Sequence, residues 1–167
     1  GFNLGNSPLL YVKNLTKQSL VITTTNGTLA IEKAKESKMG MVLASFLNVS
    51  AVAKYLLCES NYLNELSDIL ILCSGWKGRS CIEDILLAGL LCNKLLSDNR
   101  CESDSDSVFL ARNMYELAKT NIFDFLSDSS YRKRMNLDED VKYCLQIDTM
   151  ETVPVCCQTN EKLFFYS

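Results

Sequence analysis

Residues 69–91, ILILCSGWKGRSCIEDILLAGLL, constrain this chain more than any other stretch, because they pass from an apolar run through a small-residue polar loop into an apolar helix. Ile69, Leu70, Ile71 and Leu72 are consecutively apolar and stop at Ser74-Gly75, the pattern of a strand buried on both faces of a parallel sheet. Gly75 and Gly78 let the backbone turn tightly. Ser80, with Glu83 three residues on, reads as a capping box that places the helix N-cap at Ser80. The helix that follows, from Ile82 to about Leu96, is apolar nearly all round and is predicted to lie in the core. A ligand belongs in the loop between them, at the carboxyl end of the strand.

Two further strand-helix units precede this one. Residues 19–25 (SLVITTT) have the β-branched bias of a strand, Asn26-Gly27 breaks it, and residues 28–34 read as a helix. Residues 39–44 form a short apolar strand ending at Ser45, and residues 49–58 an amphipathic helix with Val52, Tyr55 and Leu56 on one side. Three such units predict an α/β fold: a parallel or mixed sheet with helices on both faces. One domain is expected over residues 1–167, with a flexible acidic connection at 97–107 (SDNRCESDSDS) and a helical C-terminal part over 108–145. An extended edge element is expected at Thr152-Val153-Pro154-Val155. Residues 1–8 (GFNLGNSP) read as a turn, and an opening at Gly1 inside a motif-like stretch reads as a fragment or processed product.

The chain has no histidine, which removes Ser-His-Asp and Cys-His nucleophile arrangements and every histidine metal ligand. With 17 basic against 20 acidic residues, and no basic run longer than Arg132-Lys133-Arg134, no track for a nucleic-acid backbone is expected. No apolar run reaches membrane-spanning length. The eight cysteines lack zinc-type spacing and read as buried thiols of a reducing cytosol, so a cytoplasmic location is expected. The sequons at Asn14, Asn26 and Asn48 are then chance matches.

The predicted strand ends bring hydroxyls, amides and glycines to one rim. Thr25, Asn26, Gly27 and Thr28 stand at a helix start, where free amides and the helix dipole favour an anion such as phosphate or sulfonate. Ser45 and Asn48 follow the second strand; Gly75, Lys77, Gly78 and Arg79 follow the third. Glu83 and Asp84 lie in the first turn of the core helix, where they complement the dipole or supply one Mg²⁺ ligand. Cys73, five residues and Arg79-Ser80 also spell a cysteine-phosphatase loop, although Leu72 stands where such enzymes carry histidine. Asp104-Ser105-Asp106-Ser107-Val108 matches an aspartate-nucleophile motif by letters only, since no apolar strand precedes it, and the acidic connection is the simpler reading. Arg132-Lys133-Arg134, with Asp138, Glu139 and Asp140 nearby, reads as a solvated helix face.

The blocks GFNLGNSP, TTTNGT, ASFLNVSAVA, CSGWKGRSCIEDILLAG and DEDVKYCLQIDTMETVPV, in that order, resemble the 2-phosphosulfolactate phosphatases. The resemblance spans Gly1 to about Val155 and implies an α/β, Mg²⁺-dependent phosphatase that converts 2-phospho-3-sulfolactate to 3-sulfolactate and phosphate, a step of coenzyme M biosynthesis. It implies a small doubly anionic substrate, carrying phosphate with sulfonate or carboxylate, held by Asn6, Ser7, Thr25–Thr28, Ser45, Asn48, Gly75, Lys77 and Gly78. Asp84 or Glu83 would bind the metal, and Arg79 or Lys77 would neutralise developing charge; a homo-oligomer is compatible. The chain departs from the family pattern at Asn3, Leu10, Leu29 and Cys81, where aspartate, glutamate, arginine and serine are usual, and family chains begin upstream with a motif carrying an aspartate and an arginine. A non-catalytic anion-binding homologue on the same scaffold is the alternative from another class, and the cysteine phosphatase using Cys73 and Arg79 a third.

Overall fold

A computed structural model of the protein describes residues 5–11, 22–36, 40–62, 68–129, 132, 137–159 and 162–166. The readings placed on residues 1–4, 12–21, 37–39 and 133–134 fall outside them. The helices are α1 (Gly27–Lys35), α2 (Val49–Tyr62), α3 (Ile82–Leu95), α4 (Asp106–Ala118), α5 (Ile122–Phe125) and α6 (Asp138–Cys144). Short 3₁₀ turns occupy Pro8–Tyr11, Phe46–Asn48 and Leu126–Asp128, and β1 (Val155–Thr159) and β2 (Lys162–Tyr166) form an antiparallel hairpin.

The apolar sequence of α3 decides the packing. Leu86, Ala88, Gly89, Leu90, Leu91, Cys92 and Leu95 are all buried, a distribution too wide for one stripe, so the helix needs neighbours on several sides. It receives Val49, Val52 and Ala53 of α2, and Ala111 and Ala118 of α4, with Ile122 and Leu126 closing the cluster. Leu86, Val49 and Val52 are fully enclosed, each contributing about 1.5–3 kcal/mol by burial. The approach of α3 to α4 is set by a missing side chain: a Cβ on Gly89 would lie 2.1 Å from the Ala111 carbonyl oxygen.

The second expected strand is extended in the structure and pairs with the C-terminal edge element. Val42 bridges Val155 in antiparallel fashion, with Leu43 N–H donating to Pro154 O (3.0 Å) and Cys156 N–H to Met41 O (2.8 Å). Ser45 and Asn48 then form a capping box in front of α2. Asp148, in the left-handed region at φ 56°, accepts from the Ser50 amide at 2.7 Å and from its hydroxyl, and its amide donates to Phe46 O. The start of α2 is thereby bolted to residues 148–155.

Several expectations change. The N-cap of α3 is Cys81, in extended backbone with no side-chain cap bond, and the Ser80–Glu83 box does not form; Ser80 directly follows a tight turn, which moves the helix start one residue on. Of residues 69–72 only Ile71 packs on the core, while Leu70 is 78% exposed and Ile69 and Leu72 are exposed too, so the run presents one face inward. Of Cys58, Cys73, Cys81, Cys92, Cys101, Cys144 and Cys156 only Cys92 is buried. Arg132 is no solvated charge: it stacks 3.7 Å over the Phe123 ring and pairs with Asp138 at 2.8 Å. The 97–107 connection starts as a built turn, in which Arg100 grips Asp98 through two 2.8 Å bonds and Cys101 packs on the core.

Alanine in place of glycine ordinarily stabilises a helix interior by about 1 kcal/mol. At Gly89 the sign should reverse, because α3 and α4 must separate to admit the methyl. Gly89→Ala is expected to cost about 1–3 kcal/mol and to lower the thermal midpoint by several degrees; a neutral or higher midpoint would mean that the two helices do not meet there.

Candidate active site

The loop before α1 is fastened by its own threonines. The Thr24 amide donates to Thr28 Oγ1 at 3.1 Å, and the Thr23 and Thr28 hydroxyls stand 3.5 Å apart. Gly27 at the first helical position gives Thr24 room, since a Cβ there would meet Thr24 Oγ1 at 2.6 Å. Asn26 occupies the N-cap yet makes no cap bond to its own helix. Its side chain instead reaches across the chain: Asn26 Oδ1 accepts the Lys77 amide at 3.1 Å. The first amides of α1 are thus left without the cap that an asparagine normally supplies, at the positive end of the helix dipole.

The partner loop is a two-residue hairpin. Trp76 and Arg79 exchange backbone bonds of 2.9 and 3.0 Å, and Lys77 and Gly78 at its tip have φ of 51° and 73°, the paired positive dihedrals of a type I′ turn. Glycine suits this backbone but lysine does not, and holding a side chain in the left-handed region costs about 1–2 kcal/mol. Gly75, also at positive φ (62°), is irreplaceable for a steric reason as well, since a Cβ would sit 2.5 Å from Arg79 O. Two side chains hold the turn: Asn26 on the Lys77 amide, and Asp84 of α3, whose Oδ2 accepts the Gly75 amide at 2.7 Å. Lys77 folds its ammonium 4.7 Å from the centre of the Trp76 ring.

The structure therefore joins Thr25, Asn26, Gly27 and Thr28 to Gly75, Lys77, Gly78 and Arg79, with Asp84 beneath the turn and the half-buried Glu83 beside it in the first turn of α3. The other sequence candidates have separate partners. Asn48 is buried (6% exposed) and accepts from the Ser45 amide at 2.8 Å while its Nδ2 donates to Thr152 O at 2.9 Å, so Ser45 and Asn48 brace the strand tip. Ser7 donates a short hydrogen bond to Asp140 of α6, and Asn6 is exposed beside it. Sequence reasoning missed the second holder of the loop, Asp84 on the Gly75 amide. Its signal was the carboxylate at the third position of a helix whose N-cap, Cys81, is a poor capping residue.

Cys73 lies directly before this turn. Exposed at its surface but partly shielded from water by the atoms packed around its thiol, it has a thiol pKa raised above the ordinary value first by that desolvation and then by the charge of Asp84. A cysteine nucleophile needs the opposite, a stabilised thiolate. No three Asp, Glu or Cys side chains converge as a metal cluster among the described residues. Asp84 does retain Oδ1 beyond its bond to Gly75, next to Glu83, and one or two carboxylates with waters are the usual protein share of a Mg²⁺ site.

Comparison with known proteins assigns the chain. A sequence model described as 2-phosphosulpholactate phosphatase matches residues 1–159. The chain belongs to the 2-phosphosulpholactate phosphatase family. Among its relatives, a protein of Thermotoga maritima named probable 2-phosphosulfolactate phosphatase is 37% identical over 158 residues, 92% of this chain and 64% of the relative. Proteins of the same name from Caldanaerobacter subterraneus and Prochlorococcus marinus are each 37% identical, over 92% of this chain and 62% and 64% of their own length. The chain thus spans a little under two thirds of the curated relatives it matches. No helix among the described residues is long and apolar enough to cross a membrane.

The raised Cys73 thiol yields a direct check. Alkylation by iodoacetamide follows the thiolate, so at neutral pH Cys73 is expected to react more slowly than a cysteine in an unstructured peptide, accelerating only at alkaline pH. A rate already at its plateau at neutral pH would reveal an activated nucleophile.

Proposed function

We propose that the chain carries the anion-binding and metal-binding half of a phosphatase that hydrolyses 2-phospho-3-sulfolactate to 3-sulfolactate and phosphate. The observation that carries this reading is the Asn26–Lys77 bond, which puts the helix-start amides and the cation-bearing turn on one rim. Family membership supports the substrate class, and the relatives' names support the substrate. In this reading the scaffold is an α/β arrangement with a parallel or mixed sheet, the protein acts in the cytoplasm, and its partner is the small dianionic ester, with no nucleic acid or membrane involved.

Hydrolysis of a phosphomonoester adds water to phosphorus and breaks the P–O ester bond; the ester oxygen leaves as the hydroxyl of sulfolactate with a proton from the water. The work of the protein is to position the ester and stabilise the charge that moves onto the leaving and equatorial oxygens. The amides at Gly27 and Thr28, with the hydroxyls of Thr25 and Thr28, receive one anionic group. Lys77 and Arg79, delivered by the turn, neutralise charge on the other. Glu83 and the free oxygen of Asp84 would hold Mg²⁺, which when bound polarises phosphoryl oxygens and lowers the pKa of water.

Phosphate release from 2-phospho-3-sulfolactate, followed with this chain alone and with the remaining third of a relative supplied, tests the proposal. Turnover is expected only with Mg²⁺ and to vanish in EDTA. Asp84→Asn keeps an acceptor for the Gly75 amide while removing charge, and should lower kcat by about 10²–10³-fold; Glu83→Gln should also be impaired, and Cys73→Ser active. Activity that survives EDTA and dies in Cys73→Ser would replace this mechanism with the cysteine one. One observation favours a binding-only homologue: Leu29, 61% exposed in the first turn of α1, stands where the family commonly has arginine. Absence of Mg²⁺-dependent turnover in both forms would establish that second reading.

A further inference from the structure

The Trp76–Arg79 turn carries a strained residue at its tip. Lys77 sits at φ 51°, a conformation an L-residue adopts only when its surroundings over-determine it. Within the turn, the reciprocal Trp76–Arg79 bonds fix the two ends, but they leave the Lys77 peptide free to relax. The bond that engages this peptide comes from Asn26, 51 residues earlier in the chain. The cost to Asn26 is a helix cap it does not make. An asparagine there would by default turn back to its own helix, a contribution of about 1 kcal/mol.

We propose that Asn26 is a positioning residue: its side-chain oxygen, holding the Lys77 amide, fixes the left-handed turn and thereby sets Lys77 and Arg79 against the uncapped amides of α1, so that the two halves of the anion pocket form only as a pair. Asp84 secures the other end of the same loop through the Gly75 amide, and the turn is suspended between α1 and α3. This rests on the anion-pocket reading above. It assigns the Asn26 side chain a task other than direct ligand contact, and it explains why an asparagine, whose oxygen accepts and whose backbone tolerates a helix start, stands between Thr25 and Gly27. Loss of Asn26 has two opposed local effects. The α1 amides stay uncapped, but the cations swing away from them.

Amide exchange followed by nuclear magnetic resonance, with titration by inorganic phosphate, tests this. In the wild-type protein the Lys77 amide, on an exposed residue, is expected to exchange at least about tenfold slower than its intrinsic rate, the protection one hydrogen bond provides; an unprotected Lys77 amide overturns the proposal without any mutant. Asn26→Ala should accelerate Lys77 exchange about tenfold while the α3 core amides Leu86 to Leu91 stay unchanged, and should weaken phosphate binding about tenfold. Asn26→Asp, which keeps an acceptor oxygen, should restore slow exchange. If Asn26→Ala leaves Lys77 exchange and phosphate affinity as in wild type, or if Asn26→Asp fails to restore protection, the positioning role is wrong. If wild type binds no phosphate, the pocket reading falls, and the exchange of Lys77 alone decides the clamp.

Discussion

One hydrogen bond between a side chain and a distant amide, Asn26 Oδ1 to Lys77 N–H, joins the two loops on which the proposed site rests. Without it, the threonine-rich start of α1 and the glycine-rich turn before α3 would be two solvated segments, each with an ordinary structural explanation. Neither loop alone says much about function, since helix starts and I′ turns are common. Joined, they bring the start of α1, which its N-cap asparagine does not cap, next to a turn that carries Lys77 and Arg79. The strain at Lys77 and the unmade cap at Asn26 point to the same conclusion, because both are local costs that only the connection between the loops offsets.

The bond can matter only if its two ends are anchored, and the anchoring comes from α3. Its burial on several sides, and the contact at Gly89 that lets α4 approach backbone to backbone, make it the packed centre of the described core. Asp84 projects from the first turn of this helix to the Gly75 amide, so the turn inherits the rigidity of the core. The same carboxylate keeps the neighbouring Cys73 thiol protonated by its charge, in the direction that burial already favours. A single side chain thus holds the loop and disfavours a thiolate beside it.

Much of this was legible in the sequence, and the gaps have physical causes. The apolar surplus of residues 82–95 gave α3 and its burial, because a helix hydrophobic all round has no other place to go. The Asn-Gly break gave the start of α1, and Thr152 to Val155 read as an extended edge element, whose partner, residues 41–43, the structure supplies. The capping box was misplaced because letter spacing cannot tell whether a tight turn consumes Ser80. Burial of residues 69–72 on both faces was inferred from four apolar letters, yet only Ile71 turns inward. Asn48 and Ser45 were read for ligand chemistry, whereas their polar atoms close a local box and tie residue 152. Polar side chains at strand ends serve backbone and ligand alike, and the difference lies in partners far away in the chain. The Asn26–Lys77 and Asp84–Gly75 bonds are of that kind. The sequence offered the residues, and only three dimensions offered the pairing.

The central claim is that residues 25–28 and 74–84 surround one pocket for one anion. Backbone amide shifts during titration with inorganic phosphate measure this most directly. The account requires the amides of Gly27 and Thr28 and those of Gly78 and Arg79 to move together along a single binding curve with one dissociation constant. Shifts confined to one loop, or two curves with unrelated constants, would contradict it.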